Sequence, residues 1–334
     1  MLIERKRIKA HYFEIYKDKL FILEDDCSPL YVYDIHTFHL IAKLGDNYGG
    51  GLYAINDLVV DEHLKGVNVD TLSKVPSFYN CSNTYYYITN SKYIIIRKFI
   101  TDFSLELHIV RLDNYQIVRK IKDTSGTIRL FTESNDLICS TEDFLFLYKD
   151  FSLLWQKDLS KLTQYTEWDG TEEEGKIREV YHYKDSVIVL TQVFILQIDL
   201  QTGDIVYSLQ LPAGLMELSI VDNRAYGCYG YHYMEIDIEK GRLLKFIRIE
   251  NAVYQGKEYN AIMDSPKFHE GYVFHGVRLE GGYYAISALD AQTEKRIWID
   301  LLGTYMVEKI EFYENKMFVS DSGGSLYIYE KEDA

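Results

Sequence analysis

Two stretches decide the fold: "QIDLQTGDIVYSLQL" (residues 197–211) and "ALDAQTEKRIWIDLL" (residues 288–302). Each runs an alternating apolar strand into an Asp. A short polar turn follows, with a Thr three residues after that Asp, and a second alternating strand leads away. Period-two alternation on both sides of a tight turn is the signature of a β-hairpin. The simplest role for Asp199 and Asp290 is therefore to make the turn, their carboxylates accepting hydrogen bonds from nearby backbone amides.

The pattern recurs as "LYVYDIHTFHLIAKL" (30–44), "LHIVRLDNYQIVRKI" (107–121), "LFLYKDFSLLWQKDL" (145–159) and "YMEIDIEKGRLLKFI" (233–247), with a truncated copy, "SLYIYEK" (325–331). A second hairpin precedes each copy. Its turns are "YKDK", "TNSK", "ESND", "YKDS", "VDNR", "HEGY" and "YENK", starting at residues 16, 89, 133, 183, 221, 269 and 313. Successive starts lie 73, 44, 50, 38, 48 and 44 residues apart. Two hairpins make a four-stranded antiparallel sheet, and units of this length read as propeller blades. The last unit has three strands, while "LIERKRI" (2–8) alternates without a unit of its own. The N-terminal strand is thus expected to complete the last blade and pair an otherwise open edge. The expected fold is all-β: a seven-bladed β-propeller of four-stranded antiparallel blades in a single domain over residues 1–334. The count becomes six or eight if one faint unit is misread.

The stretch Ala288-Leu289-Asp290-Ala291-Gln292-Thr293 with Trp298, and Ile198-Asp199-Leu200-Gln201-Thr202-Gly203, resemble the "ALDAxTGxxxW" ending of PQQ-like (quinoprotein-type) β-propeller repeats. Asp237 with Gly241, and Trp155 alone, match in part. The resemblance implies the propeller and leaves activity open, because one fold hosts many functions. This chain also departs from quinone-dependent dehydrogenases, with no adjacent cysteine pair, no secretion signal and three tryptophans. A non-catalytic member without a quinone is the expectation.

Composition narrows the partners. With 51 acidic against 36 basic residues the net charge is -15, which argues against nucleic-acid binding through phosphates. It suits a basic protein partner, although solubility alone also explains it. The start, "MLIERKRIKAHYFEIY", lacks the apolar run of a signal peptide, and the most apolar window, residues 186–200, is too short to span a bilayer. Cys27, Cys81, Cys139 and Cys228 show no CxxC spacing and read as reduced thiols. A cytoplasmic monomer, bound to neither membrane nor nucleic acid, is expected.

In a propeller, the connections between second and third strands and from blade to blade share one face. Three insertions fall in those connections, 45–83, 160–179 and 251–265, and the stretches 228–233 and 278–284 join the same face. Insertions gathered on one face of a repeat protein commonly form its binding surface. The candidate partner-binding residues there are the aromatics Tyr48, Tyr53, Tyr165, Trp168, Tyr229, Tyr231, Tyr254, Tyr259 and Tyr283, with the acids Glu167, Asp169, Glu172, Glu173 and Glu174. Tyr and Trp supply stiff contact area at small entropic cost. A competing account is that thirty tyrosines reflect β-propensity, most of them sitting on strands.

Chemical motifs are absent. "GDNYGGG" (45–51) lacks the Lys-Ser/Thr of a P-loop, and "DGTEEEG" (169–175) lacks EF-hand oxygen spacing. His269 and His275, six apart and read as one face of a strand, have no third ligand. No catalytic residue, cofactor or metal is assigned. The expected function is a protein-binding scaffold, in its most concrete form an inhibitor or immunity-type protein occluding a basic partner. The alternative is a carbohydrate- or small-molecule-active propeller with converging carboxylates at its central channel.

Overall fold

The computed structural model describes residues 2–331 apart from 76–83, 91, 102–103, 124–126 and 168. Eight four-stranded antiparallel sheets make the ring, spanning residues 12–48, 52–75, 84–123, 127–158, 177–210, 219–248, 261–303 and, for blade 8, 307–331 with Leu2–Lys9. Leu2–Lys9 is the outer strand of blade 8, antiparallel to Ser325–Lys331, with Leu2 opposite Lys331 and Lys9 opposite Ser325. Beneath this closing seam Phe318, Leu326 and Ile328 pack against Phe13, Leu20 and Ile22 of blade 1, all buried.

Burial follows from each strand's position. The second strands Ser186–Thr191 and Lys316–Asp321 are buried at every residue, so their centres, residues 187–190 and 317–319, are apolar without alternation, and polar residues sit only toward the strand ends. The outer strand Ile205–Gln210 alternates half-buried and exposed residues, as a strand covered on one side must. First-to-second-strand turns place a residue in the left-handed region, as at Lys17 (φ 54°), Lys184 (φ 52°) and Glu314 (φ 51°). This is the backbone a two-residue hairpin turn requires.

The seven-blade count is overturned: the ring has eight blades. Residues 45–83, read as an insertion, carry blade 2, with strands Leu52–Ile55, Leu58–Asp61, Gly66–Asn68 and Lys74–Val75. Strands of two to four residues are too short to display alternation. The unit's marker also changes letter. Asn68 takes the place of the usual Asp, its Oδ1 accepting from Asp70 N (3.1 Å), Thr71 N (2.9 Å) and Thr71 Oγ1 (3.0 Å). Asp34 does the same for His36, Thr37 and the Thr37 hydroxyl, and Asp199 for Gln201 and Thr202. The 73-residue step between turn starts was two units long.

His269 and His275 do not share a strand. His269 ends the first strand of blade 7 and His275 lies in the second. His275 is fully buried with Nδ1 3.0 Å from Gly276 O, and burial beside Arg296 holds its pKa down at about 3. Cys27, Cys139 and Cys228 are free thiols, whereas Cys81 lies outside the described residues. Among the described residues no helix is long and apolar enough to cross a membrane.

Candidate functional site

One face of the ring carries the longer crossovers. Two of them build hairpins of their own. Gln164–Thr166 pairs with Glu172–Glu174 ahead of blade 5, and Ala252–Tyr254 pairs with Lys257–Tyr259 ahead of blade 7. They stand on either side of blades 5 and 6 in chain order. The opposite face carries the short hairpin turns.

The first hairpin is held by its own turn. Thr171 N donates to Asp169 Oδ1 at 3.0 Å, which lowers the Asp169 pKa, and Gly170 supplies the positive φ of 89°. Glu172, Glu173 and Glu174 are all exposed. Among the described residues none of these three, nor Glu167 or Asp169, is within ion-pair distance of a Lys or Arg. The nearby Lys176 is taken by Glu142 at 2.6 Å. Tyr165 closes the hairpin onto the ring, its hydroxyl 3.1 Å from Glu167 Oε1 and 3.4 Å from Gln192 Oε1.

Between this hairpin and blade 6 runs a groove of about 500 Å³, walled by Tyr165, Glu167, Arg178, Gln192, Met216 and Tyr229 and floored by residues 210–215. Met216 and Tyr229 are 48% and 45% exposed, large apolar surfaces left to solvent. Through Arg178, Gln192 and Met216 the groove continues into a cavity of about 640 Å³ bounded by Arg129, Ser140, Glu142, Lys176 and Glu179. Arg129 Nε donates to Ser140 Oγ at 2.8 Å. Arg178 Nη1 lies 2.9 Å from Met216 Sδ, and its Nε has no partner among the described residues. Burial raises the Glu179 pKa, with Arg129 opposing and Glu217 adding to the rise. Asp264 is likewise raised, first by burial and then by Glu217.

The sequence-derived residues are scattered in role. Tyr53 and Tyr283 are exposed on this face, at 43% and 46%. Tyr231, Tyr254 and Tyr259 are half-buried, with Arg248 over the Tyr231 ring and Lys257 over that of Tyr259. Tyr48 is a core residue, 5% exposed in the cluster between blades 1 and 2. It ends a strand with its ring turned inward, so it offers no surface. Trp168 lies outside the described residues. The groove gathers Tyr165, Glu167 and Tyr229; it does not gather the second hairpin's tyrosines. Sequence reasoning missed Arg178 and Met216, and also Tyr305 and Met306, exposed at 53% and 47% in the crossover to blade 8. The adjacent apolar pair in "GTYMVEK" was the available signal for the last two.

No family model matches the chain, and no curated protein does. Solved structures are similar over the whole ring. The computationally designed Ika8 protein has a TM-score of 0.71 at 13% identity, covering 98% of both chains. BamB from Moraxella catarrhalis has 0.67 at 9%, covering 99% of this chain and 100% of that one. The C-terminal WD40 domain of Sif2 has 0.68 at 10%, covering 100% and 99%. At these identities the likeness establishes the β-propeller fold alone.

Proposed function

We propose that the protein is a non-enzymatic binding scaffold that captures a protein partner on its loop-rich face, as a non-catalytic relative of the PQQ-like propellers. One observation carries the reading. Met216 and Tyr229 lie exposed in a groove beside a hairpin of carboxylates that have no cation partner. An exposed aromatic and a Met in a concave site are what a partner buries at the centre of an interface. Unpaired carboxylates at its rim steer a basic surface toward it and are matched there by Lys or Arg. In its concrete form the protein is an inhibitor or immunity-type protein of the cytosol, acting as a monomer, free of membrane and nucleic acid, and occluding a basic partner.

The test places a photo-crosslinking residue at Tyr229 and, as a control, at Lys184 on the opposite face, in cells of the source organism. A basic protein trapped from Tyr229 and not from Lys184 is expected. Its affinity for the Met216→Ala, Tyr229→Ala double variant should then fall at least about 30-fold, the equivalent of about 2 kcal/mol. Equal trapping from both positions, or no loss in the variant, would overturn the reading.

A second reading has its own observation. The cavity beside Arg129 and Arg178 holds Glu179, a carboxyl raised by burial, with Asp264 also raised nearby. Such groups suit sugar or other polar ligand chemistry at the channel. Sugar binding lost in Glu179→Gln, with partner capture unaffected, would favour it.

A further inference from the structure

Neighbouring blades are fastened by one repeated device on the hairpin-turn face. The outer strand of a blade sends a side chain onto the turn between the third and fourth strands of the next blade. Four seams use a donor to a turn carbonyl. These are Lys6 Nζ to Phe38 O (3.0 Å), Arg119 Nη1 to Asp150 O (3.5 Å), Trp155 Nε1 to Leu200 O (3.0 Å) and Lys245 Nζ to Ala291 O (2.9 Å). The turn also covers the side chain. A Cβ on Gly203 would stand 2.9 Å from the Trp155 ring, and one on Gly241 2.5 Å from the ring of Tyr207.

Trp298 holds this position in blade 7. It lies opposite Ala288, two residues before the end of the third strand, as Trp155 lies opposite Leu147 and Lys245 opposite Glu235. Its next blade is blade 8, whose outer strand comes from the start of the chain. No tight turn joins the third and fourth strands there. Where the turn would lie is a mainly apolar cavity of about 340 Å³ whose walls include Trp298, Tyr272, Phe274, Phe312, His269 and Met317. Phe274 and Phe312 have ring centroids 4.9 Å apart, and His269 stacks on Phe312 at 3.9 Å. Among the described residues the Trp298 indole N–H donates to no acceptor.

The lysines around the rim are matched. Lys331 pairs with Glu270 at 3.1 Å, Lys316 with Glu330 at 3.6 Å, and His36 lies 3.4 Å from Glu314. Burial lowers the His269 pKa, so that ring is neutral at neutral pH. An anionic ligand would meet no lysine free of a carboxylate partner, and the apolar walls disfavour burying a charge of either sign.

We propose that this cavity is a small-molecule site for a neutral, planar, mainly apolar ligand bearing a carbonyl oxygen. The ring system lies between Trp298 and the Phe274–Phe312 wall. Its oxygen accepts from the Trp298 indole as Leu200 O accepts from Trp155. An apolar cavity of roughly 150 Å³ holds benzene. The volume here admits two rings and falls at the small end of ligand pockets, roughly 300–1,000 Å³. The site faces away from the loop-rich face and stands or falls independently of the partner reading.

The test is ligand-observed NMR titration of the full chain with acetanilide, and with ethylbenzene as a probe lacking the acceptor. Saturable binding of both is expected, acetanilide the tighter. Trp298→Phe should weaken acetanilide about threefold to tenfold, the equivalent of one hydrogen bond, and leave ethylbenzene nearly unchanged. Ala288→Leu fills the cavity and should abolish both. Because it changes a core residue, Ile297→Arg at the 53% exposed rim provides a second block that spares the core. Absence of saturation, or unchanged binding in both blocked variants, would overturn the proposal. So would binding that appears only after residues 332–334 are removed, since the chain itself would then be the occupant.

Discussion

The seam between blades 4 and 5 and the seam between blades 7 and 8 carry a tryptophan at the same register position, and only the first is covered. Trp155 donates to Leu200 O and is capped by Gly203; Trp298 faces a cavity. The side chains are alike, so the difference lies in what the neighbouring blade brings. A repeat specifies half of each seam, and the other half belongs to the next repeat. Closing the ring with Leu2–Lys9 completes the sheet of blade 8 through its backbone ladder. It does not replace the turn that a continuous blade would have supplied.

The largest expected effect tests this directly. Trp155→Ala removes a half-buried ring packed against the core between blades 4 and 5 and covered by the Gly203 turn, and should cost about 3 kcal/mol, the low end for deleting a packed aromatic. Trp298→Ala keeps the loss of its contact with Tyr329 (5.3 Å, edge-on) but has no capping turn to lose. It should cost about 1–2 kcal/mol less. Urea unfolding of the two variants measures both, and equal costs would break the comparison. The Phe variants sharpen it. Trp155→Phe should lose about 1 kcal/mol with the indole hydrogen bond, and Trp298→Phe almost nothing.

The same contrast explains what could be read from the sequence. A unit was legible where its turn carried the usual Asp and its strands were long enough to alternate. Asp34, Asp199 and Asp290 sit two or three residues before the amides they bind, and tight turns with alternating flanks mark their own hairpins. Blade 2 stayed hidden because its strands are short and Asn68 stands in for Asp, although the doubled spacing recorded it. The loop-bearing face followed from topology. Which of its residues form the groove did not, because Tyr165, Arg178, Met216 and Tyr229 meet only through the packing of three consecutive elements. Tyr48 shows the same limit from the other side: it lies at the edge of a glycine-rich stretch, yet its ring points into the core. The cavity at Trp298 depends on a seam joining the two ends of the sequence, and no local pattern reports it.

The smallest effect concerns acid. The turn that covers Trp155 is itself held by Asp199, which accepts from Thr202 N at 2.8 Å and Gln201 N at 2.9 Å. The backbone bond from Thr202, foremost, lowers the carboxyl below its ordinary 3.8. A carboxyl whose pKa is lower in the folded than in the unfolded chain binds its proton less readily when folded. The stability it contributes is therefore present above pH 3.8 and is lost as pH falls through the lower folded value. Asp199→Asn keeps an acceptor for the turn and removes the titration. The stability difference between the parent and this variant should be constant from pH 7 to about 4.5. It should then shrink toward lower pH, as urea unfolding at pH 7, 4.5 and 3 would measure. A difference that stayed flat to pH 3 would show that the turn is held without the carboxylate's charge. The covered seam would then owe its closure to Gly203 and Leu200 O alone.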